Sequence, residues 1–417
     1  MLRSFAAVSA ILLLTFMSAS AETHRFEPKR YHHTFSFAHE PVLRVKPGDR
    51  IVTKTIDARG FDAANNQVGE RPNPQTGPFY VEGAEPGDVL VVHFEKIEPA
   101  RATAWSSSLL APYAADPAFL RFEGEREQTT ETWNIDKQRG VARVASDAIL
   151  PRGIEVPLQP MLGCVAVAPP RKEAVATSTP GEFGGNMDYN GMNAGVTLML
   201  PVSEPGALLF FGDGHARQGD GEVVGNALEI AMDVELTVDL IKGKSIGWPR
   251  LENDTHIMAI GSARPLLQAL QHATTEAQRW LMSDYGFSER GSSLLMGHAL
   301  EYDIANVVDP HFTVVAKIRK DLLKPGRPKL RDPCYLRPPK VMQALSRHTC
   351  NTLRHLFALP RPVSAQTALR HPAVPGRHAR SRSERSIDGR RGQQIADQAL
   401  DRREPNLSSM IRIDGQS

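Results

Sequence analysis

The chain has 417 residues, 41% of them hydrophobic, enough for a sizeable core and, by length alone, for two or three domains. Its 31 Pro and 32 Gly make turns frequent and exclude a long helical bundle or coiled coil. The formal charge of +2 hides an asymmetry: residues 324–417 hold 19 Lys and Arg against 7 Asp and Glu, and the rest holds 30 against 40. Such an acidic body argues against nucleic acid as the partner of the folded part.

The N-terminus reads as a secretory signal. Arg3 precedes the apolar run Phe5–Met17, which is short for a bilayer span, and Ala19-Ser20-Ala21 offers small residues for cleavage after Ala21. A periplasmic or secreted protein is expected. No later segment is long and apolar enough to span a membrane once the signal is removed.

Strands dominate next. Val42–Val45, Lys46-Pro47-Gly48-Asp49 and Ile51–Ile56 read as strand, turn, strand, and Phe79–Glu82, Gly83–Asp88 and Val89–Ile97 repeat the plan. Ala207–Phe211 is a short apolar strand. Residues 228–241 alternate, with Ile230, Met232, Val234 and Leu236 on one face and Glu229, Asp233, Glu235 and Asp239 on the other. That pattern predicts a strand or bent hairpin with one buried face.

Helices come late. Residues 264–284 place Leu266, Leu270, Ala273, Ala277 and Leu281 at helical spacing before Gly286, and Ser288 would cap a second helix over 291–307. Thr313–Ile318 closes the domain as a strand. The expected architecture is mainly β, sandwich-like, over residues 22–323, with one helical pair near its end. From residue 324 on no apolar period survives, so a disordered basic tail or an aberrant end is expected. Of the cysteines, Cys164 alone lies in the patterned part, inside an apolar run. It reads as a buried, inert thiol, and no disulfide framework can form there.

The chemistry concentrates in Gly212-Asp213-Gly214-His215-Ala216-Arg217-Gln218-Gly219-Asp220-Gly221-Glu222, read as a loop leaving the strand at Phe211. Four glycines loosen it, while an imidazole and three carboxylates offer ligands suited to zinc or a similar divalent ion. The plainer reading is a polar turn. A second cluster, Gly184-Gly185-Asn186-Met187-Asp188, would align Asn186 and Asp188 if extended. Asp57 and Glu82 are acids where strands end. Serine-hydrolase elbows, His-Glu-x-x-His, Walker loops and dinucleotide fingerprints are all missing from the sequence.

In these motifs the chain resembles the acetamidase/formamidase family. The matching pieces are Thr76–Asp88, Pro160-Met161-Leu162-Gly163, Gly184–Asp188, and Gly212-Asp213-Gly214-His215 with Gln218–Glu222, in the family's order across about residues 31–323. The resemblance implies a mainly β fold, a divalent metal (zinc expected, calcium the alternative) and hydrolysis of carbon–nitrogen bonds in small linear amides. It implies His215, Asp57 and Asp220 as metal ligands, with Asp188 in place of Asp220 as a variant. Glu222, Glu82 and Asp188 become candidates for catalysis, and Asn186 with Gly185 for substrate binding. Export and the basic tail depart from the family's pattern. Two other readings stay open: an exported metal hydrolase for another amide-bearing compound, and a non-catalytic periplasmic β protein binding a ligand or calcium. Homo-oligomerisation is left open.

Overall fold

The two Pro-Gly-Asp segments show how the sequence sets its turns. In a computed structural model that describes residues 21–122 and 129–323, Gly48 and Gly87 adopt φ of 91° and 94°, which a side chain would resist. The amides of Asp49 and Asp88 donate to Lys46 O and Glu85 O, each at 3.0 Å. Each Asp then turns its carboxylate back on the turn, accepting from Lys46 N at 2.8 Å and Glu85 N at 2.9 Å. Turn and cap come from the same four residues, so the strands on either side enter the fold at fixed angles.

Those strands build a nine-stranded sheet. Its order is Thr23–Arg25, Arg50–Lys54, Met232–Ile241, Val89–Pro99, Thr197–Pro201, Arg250–Glu252, His256–Ala263, Phe312–Arg319 and Glu301–Asn306. All neighbours are antiparallel except the first pair. A five-stranded sheet runs Gly184–Asn186, Met161–Ala166, Leu209–His215, Thr76–Val81, Leu43–Val45. A four-stranded sheet, from Thr103–Ser107 to Val156–Pro157, stands beside it.

One core joins the larger sheets. Phe94, Leu198, Met232 and Leu236 from the first pack with Phe79, Leu162, Phe210 and Phe211 from the second, all fully buried. Burial of this apolar area drives the sandwich together. The helix Leu266–Tyr285 covers the far part of the nine-stranded sheet through Ala269, Ala273 and Ala277. It comes close because Gly261 lacks a side chain: a Cβ there would lie 2.3 Å from Ala269 O. Glu289–Ala299 follows, with Ser288 Oγ accepting from Gly291 N at 3.1 Å as an N-cap.

The mainly β expectation holds, with four differences. The second helix stops at Ala299, and 301–306, expected to be helical, form an edge strand on Phe312–Arg319. Strand pairing outweighs helical spacing there. Residues 212–215, expected to be loop, continue the strand Leu209–His215, because Gly212 and Gly214 pair with Cys164 and Leu162. The strand begins only at Leu209, since Ala207 and Leu208 take φ of 57° and 60°. Residues 228–231 precede the strand Met232–Ile241, so Glu229 is not on its solvent face but buried. Cys164 is buried, and burial pushes its thiol up, as expected of an inert thiol. The signal segment, residues 1–20, and the tail, 324–417, lie outside the described residues.

Candidate active site

Three buried groups converge over one glycine. Gly163 sits in the strand Met161–Ala166, beside the strand that carries Asp213 and His215. A Cβ on Gly163 would lie 2.4 Å from Asp188 Oδ1, 2.7 Å from Asp213 Oδ2 and 2.8 Å from His215 Cε1. The missing side chain leaves the space into which these groups point. Asp188, Asp213 and Glu222 hold φ of 44°, 56° and 50°, a region non-glycine residues rarely occupy. Backbone strain of this kind gathers where a side chain must be aimed at a site.

His215 is oriented from behind. Gln218 donates from Nε2 to Asp188 O and to Ala305 O, which leaves its Oε1 to face His215 Nδ1 at 3.0 Å. Nδ1 therefore carries the proton, and Nε2 is presented to the acids. Nε2 lies 3.2 Å from Glu229 Oε1 and 3.5 Å from Asp213 Oδ2, yet has no hydrogen-bond partner. Asp188 Oδ1 and Glu229 Oε2 are likewise buried and unpartnered. Asn186 holds the remaining acids in place, donating from Nδ2 to Asp188 Oδ2 and to Asp309 Oδ2, each at 2.8 Å. Its own Oδ1 accepts from Asn73 Nδ2 at 2.8 Å.

Charge is far from balanced. Asp188, Asp213, Glu222, Glu229 and Asp309 surround one imidazole, and no Lys or Arg pairs with any of the five among the described residues. Burial, then mutual repulsion, pushes Asp188 well above the carboxylate range. Burial does the same to Glu222, against the pull of His215. Glu229 and Asp309, also pushed up chiefly by burial, each reach about 7. Burial would lower His215, but Glu229 and Asp213 outweigh it and hold the imidazole well above its usual value. Such a cluster wants either protons or a cation. Two sets have ligand atoms within 4.8 Å of one another: Asp213, His215 and Glu229, and Asp188, His215 and Glu222.

A cavity of about 470 Å³ opens on this cluster. Asp213, Glu222, Glu229 and Asp309 line it, as do Arg59, Arg71 and Trp105 on the protein's other elements. Water, substrate and a proton-carrying carboxyl can therefore meet at the buried ligand set.

The model of the acetamidase/formamidase family matches residues 18–172 and 170–323. The chain belongs to that family. It is 31% identical to an acetamidase structure from Yersinia enterocolitica, with a TM-score of 0.64 over 74% of this chain and 95% of that one. It is 28% identical to the acetamidase of Mycolicibacterium smegmatis, over 40% of this chain and 53% of that protein. It is 24% identical to the formamidase of Methylophilus methylotrophus, over 48% of this chain and 61% of that protein. The chain thus spans a little over half of these two curated relatives.

Within this acetamidase/formamidase fold, the residues singled out from sequence fall into two groups. His215, Asp188, Glu222 and Asn186 meet in the cluster. Gly185 supports it through backbone: with φ of 96°, a Cβ there would lie 2.4 Å from Thr179 O. Asp57, Glu82 and Asp220 are not brought into it. Asp57 Oδ1 accepts from Arg59 N and Phe61 N, and Oδ2 pairs with Arg101 and with Trp105 Nε1, so its oxygens are committed. Glu82 is half-buried in the turn after Thr76–Val81, and Asp220 is exposed, accepting from Asn190 Nδ2 at 2.7 Å. Glu229 and Asp309 had no place in the sequence reading of the site. Glu229 reads as a polar position in an alternating strand, and Asp309 belongs to no motif. Asp213 stood inside the motif but was not carried into the site.

Proposed function

We propose that this chain is a metal-dependent amidase that hydrolyses the C–N bond of a small linear amide to a carboxylate and ammonia. The observation that carries this reading is the convergence of Asp188, Asp213 and His215 over Gly163, beneath a cavity, in a member of the acetamidase/formamidase family. The donor set fits a divalent cation: two carboxylates and an imidazole whose other nitrogen is already fixed by Gln218. Asp213, His215 and Glu229 would hold it, and zinc suits that mixture better than calcium, which prefers oxygen alone. When bound there, a cation supplies Lewis-acid polarisation of the amide carbonyl.

The remaining work falls to the chain's own residues. Glu222 lines the cavity, and burial raises its proton affinity, which suits a carboxyl that carries a proton between water and the leaving nitrogen. It takes a proton from water as the C–O bond forms and gives it to the nitrogen as the C–N bond breaks, releasing ammonia. Asn186 keeps Asp188 and Asp309 oriented at the side of the cavity. Export is part of the proposal. It rests on Arg3, the apolar run and Ala19-Ser20-Ala21, and among the described residues no helix is long and apolar enough to cross a membrane. N-terminal sequencing of the mature protein should begin at Glu22, and recovery of Met1 in soluble protein would exclude cleavage.

The reading is tested on purified protein by metal analysis beside ammonia release from formamide, acetamide and propionamide. About one zinc per chain is expected, with activity lost on chelation and restored by zinc. Full ammonia release from metal-free protein would remove the metal from the reaction, and no release from any amide would remove the amidase.

A further inference from the structure

The cavity is larger than a short amide needs, and its rim carries a charge such an amide would not use. Acetamide has four heavy atoms, comparable with about four waters at roughly 30 Å³ each. The cavity measures about 470 Å³. Two arginines line it, Arg59 and Arg71, opposite in charge to the acids on the same wall.

Neither arginine is consumed by the fold's own carboxylates. Arg71 is exposed and makes no hydrogen bond or ion pair among the described residues. Arg59 lies with its guanidinium 3.5 Å from the centroid of the Trp105 ring and donates to Thr130 Oγ1 at 2.6 Å. Its Nε is buried and unpartnered. Asp57, the nearest acid in sequence, is committed to Arg101 and Trp105 and takes only the backbone amide of Arg59. Burial, and then the charge of Arg71, lower the proton affinity of Arg59 against the pull of Asp57 and Glu229, so the two cations lie close enough to repel. The stack on Trp105 keeps one guanidinium flat and fixed, and the other is free to close on a ligand. A pair of forked donors at one rim matches a carboxylate better than it matches anything in acetamide.

We infer that the cavity takes amides bearing a second, anionic group, with the scissile amide at the Asp188–Asp213–His215 cluster and a carboxylate held between Arg59 and Arg71. Substrates of this class are half-amides of short dicarboxylic acids. This deepens the amidase reading and rests on it for the chemistry, though not for the binding. The buried acids do not forbid an anion: a bound cation and the protons they retain offset their charge, and the carboxylate stays at the rim.

The test compares malonamate, succinamate and glutaramate with neutral isosteres in which a branched methyl pair replaces the carboxylate: 3-methylbutanamide, 4-methylpentanamide and 5-methylhexanamide. Binding is read by calorimetry and turnover by ammonia release. For at least one pair, the anionic amide should bind and react about tenfold or more better, as expected for charge-assisted hydrogen bonds. That ratio should fall towards one in Arg71→Gln, survive in part in Arg71→Lys, and shrink between low salt and 0.5 M salt at roughly the screening lengths of exposed charges. Should Arg71→Gln fail to fold, the Lys variant and the salt series decide. Equal binding of each pair, or a ratio unchanged in Arg71→Gln, overturns the inference while ammonia release leaves the amidase standing. Arginine-dependent binding of a half-amide with no ammonia from any amide does the reverse.

Discussion

Two regions of this molecule bury carboxylates, and they settle the charge in opposite ways. Between the long helix and the nine-stranded sheet, Glu276 is fully buried but meets Arg250, which lies 2.7 Å away at Nε and 2.6 Å at Nη2. Gly247 N adds a third donor at 3.2 Å. Beneath the cavity, four buried acids and the half-buried Asp309 share one imidazole, and three polar atoms of the cluster are left without partners. The first arrangement balances its charge within the chain, leaving only Arg250 Nη1 without a hydrogen bond, 3.9 Å from Asp284 Oδ1. The second is complete only with protons or a cation from outside, and that difference separates a tie that holds elements together from a site that binds.

The sharpest way to break the comparison is to remove the imidazole. His215→Ala should lose bound zinc by elemental analysis and lower ammonia release by about a thousandfold or more, the scale of several kcal/mol of transition-state stabilisation. Glu222→Gln should part from it, keeping zinc while turnover drops roughly a hundredfold. Zinc lost from both variants would move Glu222 into the ligand set with Asp188 and His215. Zinc and activity kept in His215→Ala would dissolve the site.

The other side of the comparison is broken by leaving one charge of the tie alone. Glu276→Ala should cost about 3 kcal/mol by chemical denaturation, because Arg250 stays buried without its partner. Arg250→Met with Glu276→Leu should recover most of that, since both charges leave together. A double variant no more stable than the single one would mean that the pair fixes the helix in a way apolar packing cannot.

The same contrast explains how far the sequence could be read. Turns and strands were legible because their causes are local: Pro47-Gly48-Asp49 makes a turn and caps it with its own side chain. The motifs pointed to His215, Asp188, Glu222 and Asn186, since a Gly-rich segment of ligand residues is unusual in itself. Glu229 and Asp309 were not legible, because what makes them site residues is convergence: Glu229 reaches His215 from a segment outside the motifs, and Asp309 is reached through Asn186 and Asn306. Residues 212–215 misled as a loop since glycine permits looseness, and pairing with Met161–Ala166 removes it. Residues 301–306 misled as a helix since the sheet edge that claims them is far away in sequence.

The smallest effect concerns pH, and it should reverse in sign with metal. In metal-free protein Glu229 and Asp309 are each pushed up to about 7, against ordinary values of 4.5 and 3.8. Across that interval the folded chain holds protons that the unfolded chain has released, so stability falls as pH rises through it and levels off above. A melting temperature lower at pH 8 than at pH 5 by on the order of 5 °C is the expected scale. Zinc competes with those protons for the same oxygens, so its affinity, and the stabilisation it gives, grow over the same interval. Melting curves at pH 5, 6, 7 and 8, with chelator and with zinc, should therefore diverge as pH rises. In Glu229→Gln the metal-free fall should shrink, because one of the two protons is no longer there to lose. A metal-free melting temperature that climbs from pH 5 to pH 8 would mean that the acids are already ionised in the fold, with their charge met by some partner other than a proton.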